Sequence, residues 1–234
     1  MRLAENEVQV WAQWLNVSVE QLANFSATLS SSEKERAAKF KFGVHRDRYI
    51  AGRGFLRQTL SRYLQIPPCE LDFNYSANGK PTLISDAKSA PLHFNLAHSG
   101  DLALLAVTRM GAVGVDVESI RPVKDADYLV ERFFSERENL LFQKLAPEEK
   151  PGAFFNLWTR KEALLKATGE GISGGLNRVE VSFLANEPAC LLAINGSEEQ
   201  AREWTLHAMQ LAQNFVGAVA IQVRPVQFAM WTAS

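Results

Sequence analysis

The chain contains 234 residues, of which 47% are hydrophobic and 22% charged, and its formal net charge is −1. This length and composition predict a globular protein of one large domain or two small ones, and the near-zero charge argues against a general nucleic-acid binder. The N-terminus lacks an apolar signal core, and no run approaches the roughly 18 apolar residues of a membrane span, so we expect a cytoplasmic protein without membrane association. Cys69 and Cys190 stand outside any metal-ligand spacing and predict reduced thiols.

The first quarter of the chain predicts a strand followed by helices. Val8 to Leu15 alternates as a strand does, Ser18 to Leu29 has helical periodicity, and Ser32 followed by Glu35 has the spacing of a capping box that opens a short helix. The next helix, His45 to Tyr63, carries five arginines beside its apolar stripe: Arg46, Arg48, Arg53, Arg57 and Arg62. Two interpretations remain open for them, a solvated face or a phosphate site, because guanidinium groups bind phosphate in bidentate fashion.

Two short strands with a turn between them come next. Leu71 to Tyr75 and Thr82 to Ile84 are the predicted strands, and Asn78-Gly79-Lys80-Pro81 is the turn. The lysine of this turn either faces solvent or presents its ammonium to a ligand that approaches the bare glycine backbone.

A hairpin is predicted from His93 to Thr108. Its strands are 93–96 and 102–108, and its turn runs from Ala97 to Asp101 with His98 at the tip. A loop histidine of this kind either makes a local hydrogen bond or contacts a ligand.

The segment Val113 to Glu118 alternates strictly between valines and small or acidic residues. On a strand, this alternation places Asp116 and Glu118 side by side on one face. Two like charges so placed repel each other unless a cation lies between them, and carboxylate oxygens suit Mg²⁺. The alternatives are therefore a solvated strand face or a metal site.

Two helices follow this strand. Ser135 and Glu138 have the spacing of a second capping box, and Phe154 to Gly171 predicts one amphipathic helix that stops at Gly169. Lys161 projects into the apolar stripe of that helix, whereas Glu162 and Lys166 lie one turn apart at its edge. Either the last two form an ordinary surface pair and Lys161 reaches solvent, or Lys161 has a buried anion as its partner.

The chain also contains a weak internal repeat of a capping-box helix, a longer helix and a strand. This repeat predicts two halves with a ligand cleft between them.

Two motifs together resemble the signature pair of the 4′-phosphopantetheinyl transferases. Gly114 to Glu118 is followed about forty residues later by Trp158 to Lys166. Three further matches fall in the same order along the chain: Gly79-Lys80-Pro81, Asn95-Leu96-Ala97-His98-Ser99, and Phe133-Phe134-Ser135 with Glu138. The resemblance covers roughly residues 32–171, and the length fits the monomeric, Sfp-like type with two fused halves.

The resemblance implies an α+β fold of two pseudo-symmetric halves, each with a small antiparallel sheet packed by a long helix. We expect residues 1–110 to form the coenzyme A-binding half and residues 111–234 to form the metal-binding, catalytic and carrier-contacting half. The implied enzyme moves 4′-phosphopantetheine from coenzyme A to a serine hydroxyl of an apo acyl or peptidyl carrier protein of fatty acid, polyketide or nonribosomal peptide synthesis. The other product is adenosine 3′,5′-bisphosphate.

The resemblance also assigns the acidic residues. Asp116, Glu118 and Glu162 match the ligands of Mg²⁺, for which Mn²⁺ is the alternative. Glu162, directly or through water, is also the implied base for the serine proton, so that Asp116, Glu162 and Lys166 form the implied catalytic set. Lys166 is further expected to contact the pyrophosphate and to pair with Glu138.

A larger set of positions is implied to bind coenzyme A: Lys34, Arg48, Arg53, Gly79, Lys80, Pro81, His98, Ser99, Asp116, Lys161 and Lys166. The 3′-phosphate is the expected partner of Lys34, Arg48 and His98. Two positions depart from the family pattern, Ala97 where a serine is common and Ala37 where some relatives have a lysine. We expect Arg36 or Arg53 to replace the contact missing at Ala37.

Other functions are compatible with the same residues. A non-catalytic module that binds coenzyme A or a carrier protein would not need three acids, and a magnesium phosphohydrolase would use these acids with water as the nucleophile.

The resemblance also implies that residues from Gly169 to about Leu192 contact the carrier protein.

Overall fold

The computed structural model describes residues 1–76, 79–84, 91–171, 175–185, 187–211 and 214–233. These residues form mixed sheets and helices, so the predicted α+β class is confirmed. The described helices are α1 (Val19–Ala27), α2 (Ser31–Ala38), α3 (Gly43–Leu64), α4 (Ala126–Phe133), α5 (Glu136–Phe142), α6 (Lys150–Thr168) and α7 (Glu198–Arg202). None of them is long and apolar enough to cross a bilayer.

The strands divide between two main sheets and two short hairpins. They are β1 (Glu7–Trp14), β2 (Phe73–Tyr75), β3 (Pro81–Leu83), β4 (His93–Ser99), β5 (Leu102–Thr108), β6 (Val113–Ser119), β7 (Val179–Val181), β8 (Leu191–Ile194), β9 (Thr205–Leu211), β10 (Phe215–Ile221) and β11 (Gln227–Thr232). The first sheet has the order β11-β1-β5-β4 and the second has the order β6-β10-β9. The hairpins are β2-β3 and β7-β8.

The two main sheets stack face to face, and each is covered on its outer face by a long helix. Alternation along each strand produces this arrangement, because successive side chains point to opposite faces. Leu104 and Val115 lie in the core between the sheets, Leu105 lies in the core under α3, and Ala218 lies in the core under α6. The layers therefore run α3, first sheet, second sheet, α6.

The last strand belongs to the first sheet. β11 pairs in parallel with β1, with Glu7 opposite Gln227 and Ala12 opposite Thr232. The sequence analysis expected an antiparallel sheet. The first sheet is instead mixed, because its β1–β11 pair is parallel and its other pairs are antiparallel. The division of the chain at residue 110 stays a prediction, and residues of both predicted ranges contribute to this sheet.

Helix α6 lies unusually close to strand β6, and Gly114 makes this approach possible. A Cβ atom at Gly114 would lie 2.0 Å from the carbonyl oxygen of Ala163 and 2.4 Å from the backbone nitrogen of Ala167. No side chain fits in that space. The helix backbone therefore rests on the strand backbone at this point, and the acids of β6 face α6 directly. Helix α6 ends as predicted at Gly169, which has a φ of 81°.

The first capping box differs from the prediction. Ser30 caps α2, accepting from the backbone nitrogen of Glu33, and the Glu33 carboxylate accepts from the backbone nitrogen of Ser30. The segment from Ser30 to Glu35 contains the same spacing twice, so the pattern alone does not choose between the two. Burial does, because the carboxylate of Glu33 is enclosed with Arg53 and Arg57 of α3. The second capping box, Ser135 with Glu138, is confirmed.

Two further boundaries differ from the prediction. His98 and Ser99 lie within β4 rather than in its turn, because Ser99 pairs with Leu102 and only two residues form the loop. Helix α6 begins at Lys150 rather than at Phe154. Pro151 is accommodated in its first turn, where a backbone N–H would have no helical partner.

We expect Gly114→Ala to lower the free energy of unfolding by at least about 1–3 kcal/mol, because the added methyl group forces α6 and β6 apart. Chemical denaturation monitored by circular dichroism measures the change. Gly152→Ala, in the first turns of α6, is the matched control, because its added Cβ meets nothing within 4 Å. Equal stability of the two variants would contradict the close-packing argument.

Candidate active site

Strand β6 and helix α6 bring three acids and one lysine together. Asp116 and Glu118 project from β6, and Glu162 and Lys166 project from α6. The Lys166 ammonium lies 2.6 Å from Asp116 Oδ1. The structure thus groups the four residues that the sequence assigned to metal binding and catalysis. Lys166 pairs with Asp116, however, and the expected pairing of Lys166 with Glu138 is wrong.

Burial dominates the electrostatics of this acid cluster. Burial raises the pKa of Asp116 to about 7, an effect opposed by Lys166 and reinforced by Glu162 and Glu118. Burial likewise raises the pKa of Glu162, again opposed by Lys166 and reinforced by Glu118. Because two carboxylates in dry surroundings share one ammonium, the cluster favours either a proton or a further cation.

Two carboxylate oxygens of the cluster have no hydrogen-bond partner among the described residues. They are Asp116 Oδ2 and Glu162 Oε1, and both are buried. Carboxylate oxygens of this kind suit a hard divalent cation such as Mg²⁺. Over the described ranges, no three histidine, cysteine or acidic side chains are already gathered as metal ligands. The donor set fits the ion by its chemistry, because all three side chains are carboxylates.

Ser99 and Arg121 hold the third acid. Ser99 Oγ donates to Glu118 Oε2 at 2.6 Å, and Arg121 Nη1 donates to the same oxygen at 3.1 Å. Ser99 lies on β4 of the first sheet and Glu118 lies on β6 of the second, so this contact joins the two sheets at the acid cluster. The resemblance implied that Ser99 contacts coenzyme A. In the structure, its hydroxyl donates a hydrogen bond to Glu118.

Lys161 has a buried anion as its partner. Its ammonium is fully enclosed, lies 2.5 Å from Glu138 Oε2 and also donates to the carbonyls of Leu176 and Val179. Glu138 Oε1 in turn accepts from the backbone nitrogen of Val181. Lys161 is therefore a structural residue, and its prediction as a coenzyme ligand is corrected because no donor of its ammonium faces solvent.

A cavity of about 550 Å³ lies beside helix α3 and strand β4. It is lined by five of the residues predicted to bind coenzyme A: Arg48, Arg53, Gly79, Pro81 and His98. Arg36 and His45 also line it, so both expected substitutes for the lysine missing at Ala37, Arg36 and Arg53, lie at this cavity. We call this space the arginine cavity.

His98 lies between the arginine cavity and the acid cluster. Desolvation and the positive charge of Lys166 lower its pKa, the carboxylate of Glu118 raises it, and Arg48 lowers it further. Groups from both sites thus act on one imidazole. An anion bound beside His98 would raise this pKa and stabilise the protonated imidazole.

Two predicted coenzyme residues lie elsewhere. Lys34 is exposed on α2 and does not line the arginine cavity. The Lys80 ammonium donates to the carbonyls of Lys166, Ala167 and Val113, and burial lowers its pKa. Lys80 therefore caps the C-terminal end of α6, where positive charge stabilises the exposed carbonyls.

The sequence analysis missed an apolar groove of about 460 Å³ beside Glu118. It is lined mainly by Arg121, Phe133, Phe134, Phe155 and Trp158. Trp158 was placed on the core face of α6, but it is only half-buried and borders this groove. Alternation and helical periodicity identify apolar faces, and they do not show which of these faces is left uncovered.

The segment expected to contact the carrier protein, Gly169 to about Leu192, is described only in part. Residues 172–174 and Asn186 lie outside the described residues, as does Asn78 of the predicted Asn78–Pro81 turn.

Both the N-terminal and the C-terminal parts of the chain resemble known proteins. Residues 112–220 match the family model described as 4′-phosphopantetheinyl transferase superfamily. Residues 12–110 match the model described as 4′-phosphopantetheinyl transferase, N-terminal. Together the two matches cover most of the chain.

Similar proteins carry the same description. The chain is 41% identical over 221 residues to the 4′-phosphopantetheinyl transferase HetI of Nostoc sp., covering 94% of this chain and 90% of that protein. It is 38% identical over 162 residues to psf-1 of Bacillus pumilus, covering 68% and 64% respectively. It is 36% identical over 144 residues to AcpT of Escherichia coli K12, covering 62% and 67%.

Proposed function

The chain belongs to the 4′-phosphopantetheinyl transferase superfamily, and we propose that its acid cluster and arginine cavity form one site for coenzyme A and a carrier-protein serine. The reaction transfers 4′-phosphopantetheine from coenzyme A to a serine hydroxyl of an apo carrier protein. The serine oxygen forms a bond to the β-phosphorus of the pyrophosphate, and the bond from that phosphorus to the bridging oxygen breaks. Adenosine 3′,5′-bisphosphate leaves with that oxygen.

The two unpartnered oxygens, Asp116 Oδ2 and Glu162 Oε1, carry the proposal. We assign them, together with Glu118, to Mg²⁺. When bound, Mg²⁺ would neutralise negative charge that develops on the pyrophosphate oxygens. Lys166 supplies a further positive charge to the same volume, and Asp116 holds its ammonium in position at 2.6 Å.

Glu162 is the proposed base for the serine proton, either directly or through one water. Its raised pKa supports this role, because a carboxylate of higher pKa accepts a proton more readily in the transition state. Its position on α6 also supports the role, since the same helix turn carries Lys166 and places acceptor and ammonium together.

The arginine cavity is the proposed place for the adenosine 3′-phosphate. Arg48, Arg53 and His98 all line it, and two of them are guanidinium groups suited to phosphate. His98 reaches toward the acid cluster, so a nucleotide held here would direct its pyrophosphate to Asp116 and Lys166. Lys34 is not part of this cavity, and we assign it no contact.

The apolar groove beside Glu118 is the proposed path of the pantetheine arm and the serine. A pantetheine arm held between its aromatic walls would exclude water from the acid cluster and so strengthen the electrostatic interactions there. Arg121, which bonds Glu118, lies with its guanidinium 4.7 Å from the ring centroid of Phe155 at the entrance to this groove.

The first test measures the intact mass of a purified apo carrier protein after incubation with this protein, coenzyme A and Mg²⁺. We expect a gain of one phosphopantetheine, loss of that gain with a chelator, and restoration when Mg²⁺ is added back in excess. Glu162→Gln should lower the rate by at least about 100-fold, because it removes both the base and one charge from the metal site. Exposed Glu131→Gln on α4 is the matched control and should transfer at the wild-type rate.

Other results would point elsewhere. Hydrolysis of coenzyme A without any carrier protein would identify a phosphohydrolase, and coenzyme A binding with no mass gain on several carrier classes would identify a binding module. Full activity of Glu162→Gln would remove Glu162 from both proposed roles.

We expect the affinity for Mg²⁺ to rise as the pH increases through about 7. The raised pKa means that Asp116 holds a proton below that pH, and the ion and the proton compete for the same carboxylate. Deprotonation above that pH removes the competition. Calorimetric titration of Mg²⁺ between about pH 6 and pH 8 measures the dependence. Asp116→Asn should weaken binding and flatten the profile, and a flat wild-type profile would contradict the assignment.

We expect Arg48→Met to raise the KM for coenzyme A by about 10- to 100-fold, the range for a lost charge-assisted hydrogen bond. With 3′-dephospho-coenzyme A, which lacks the phosphate, the same variant should change the KM little. Arg46→Met is the matched control, because Arg46 is exposed, pairs with Asp47 at 2.9 Å and does not line the cavity. An equal effect of Arg48→Met on both substrates would place the 3′-phosphate elsewhere.

A further inference from the structure

Strand β11 has an unpaired outer edge. It is the last strand of the first sheet and pairs only with β1 among the described residues. The backbone nitrogens of Gln227 and Ala233 donate to carbonyls on the β1 side, at 2.8 Å and 2.9 Å. Backbone groups of successive strand residues point to opposite sides, so those of Phe228, Met230 and Thr232 point away from β1. In the described part of the chain these outward-facing groups have no hydrogen-bond partner.

The sequence of β11 lacks the features that protect a strand edge. Natural edge strands carry lysine, proline, an inward-pointing charge or a bulge, each of which hinders the addition of another strand. β11 reads Gln-Phe-Ala-Met-Trp-Thr and pairs with β1 in continuous register. At the opposite edge of the sheet, β4 side chains bond the backbone of β6: Asn95 accepts from Val115, and Ser99 accepts from Ser119. The β11 edge has no such contact among the described residues.

Large apolar side chains are exposed at this edge. Met230 is 48% exposed and Trp231 is 45% exposed. Consecutive strand residues point to opposite faces, so an added strand would cover apolar surface on both faces of the sheet. Trp231 is held on the α3 face by stacking on Trp11, with ring centroids 5.7 Å apart. The described residues of β9, the edge strand of the second sheet, include no exposed large hydrophobic side chain.

A second copy of β11 fits this edge in antiparallel orientation. When Met230 lies opposite its own symmetry mate, Phe228 meets Thr232 of the other copy, and all three outward-facing residues form hydrogen-bonded pairs. On the α3 face, Trp231 then meets Ala229 of the other copy, so a large side chain lies against a small one. A two-fold axis at Ala229 or at Trp231 would instead leave one outward-facing residue unpaired and set two identical residues against each other.

We propose that two copies of this chain associate through their β11 edges, across a two-fold axis at Met230 that joins their first sheets into one. Main-chain hydrogen bonds supply the affinity, and the large-against-small pairing sets the register. β11 carries no charge that would require a partner of opposite charge, and the net charge of −1 gives two copies little repulsion. A single strand makes a small interface, so we expect a dissociation constant in the micromolar range.

This association is separate from the transfer reaction. The strand order places β11 and β4 at opposite edges of the first sheet, and β4 carries His98 and Ser99. The acid cluster therefore stays open in the dimer. The proposal differs from the monomer that the resemblance implied, and it does not rest on the assignment of the reaction.

Sedimentation equilibrium of the full chain between about 1 and 300 µM, a range that brackets micromolar dissociation constants, tests the proposal. We expect the average mass to rise from that of one chain toward that of two. Met230→Pro should abolish this rise. Proline there removes an N–H that faces the other copy and none that bonds β1, and edge strands tolerate proline at such positions. Circular dichroism checks that the variant is folded.

A pair of charge variants tests the register. Met230→Lys and Met230→Glu should each stay a single chain where the wild type associates, because like charges would meet at the two-fold axis. An equimolar mixture should associate at least about tenfold more tightly than either variant alone, and this recovery also shows that both are folded. Gln210→Lys, which puts the same charge on an exposed residue of β9, is the matched control and should associate as the wild type does.

Four results would overturn the proposal. A wild-type chain that stays single over the whole range, or a dimer that tolerates Met230→Pro, would exclude the β11 edge. Loss of association in Gln210→Lys would assign the interface to β9 instead. A mixture of folded Met230→Lys and Met230→Glu chains that does not associate would contradict the antiparallel register.

Discussion

The contact of α6 with β6 at Gly114 is the constraint on which the site depends. Because the two backbones meet there without intervening side chains, acids from a strand and from a helix share one small, dry volume. Burial raises the pKa of both Asp116 and Glu162. The charge of Glu118 raises both further, and the charge of Glu162 also raises the pKa of Asp116. Lys166 compensates only part of this charge, which leaves an arrangement that attracts cations. The same geometry that packs the core therefore creates the chemical demand of the site.

Both halves use a buried acid to fasten a short helix to a long one. Glu33 caps α2 and pairs with Arg53 and Arg57 of α3, and Glu138 caps α5 and pairs with Lys161 of α6. In each case one carboxylate satisfies a helix N-terminus and neutralises a buried cation. Desolvation of such charges is costly unless partner and hydrogen bonds are all present. In the first half this pairing also holds Arg53 at the wall of the arginine cavity, so a structural bond positions a binding residue.

Local patterns predicted much of the fold and the acid cluster, and long-range contacts limited the rest. Alternation placed Asp116 and Glu118 on one face, and helical spacing placed Glu162 and Lys166 on one edge, because both periods are properties of the backbone. The need of Lys161 for a buried anion also followed from its position. Its actual partner, Glu138, did not follow. The sequence analysis paired Glu138 with Lys166, and which of the two lysines it meets depends on how α5 packs against α6. The parallel pairing of β1 with β11 joins opposite ends of the chain and has no local signal. The bonding partners of Lys80 had no local signal for a related reason, because two of the carbonyls that it bonds belong to α6, far along the chain.

The parallel pairing of β11 with β1 has a consequence for biosynthesis. The first sheet needs residues 227–232 to cover one side of β1, and Ala12 accepts a backbone hydrogen bond from Ala233. While the ribosome is still adding the second half, β1 has its neighbour β5 but exposes its other edge. Domains generally begin to fold in order of synthesis, yet here the N-terminal sheet waits for almost the whole chain to emerge. A nascent-chain chaperone that shields strand edges would be most needed during that interval.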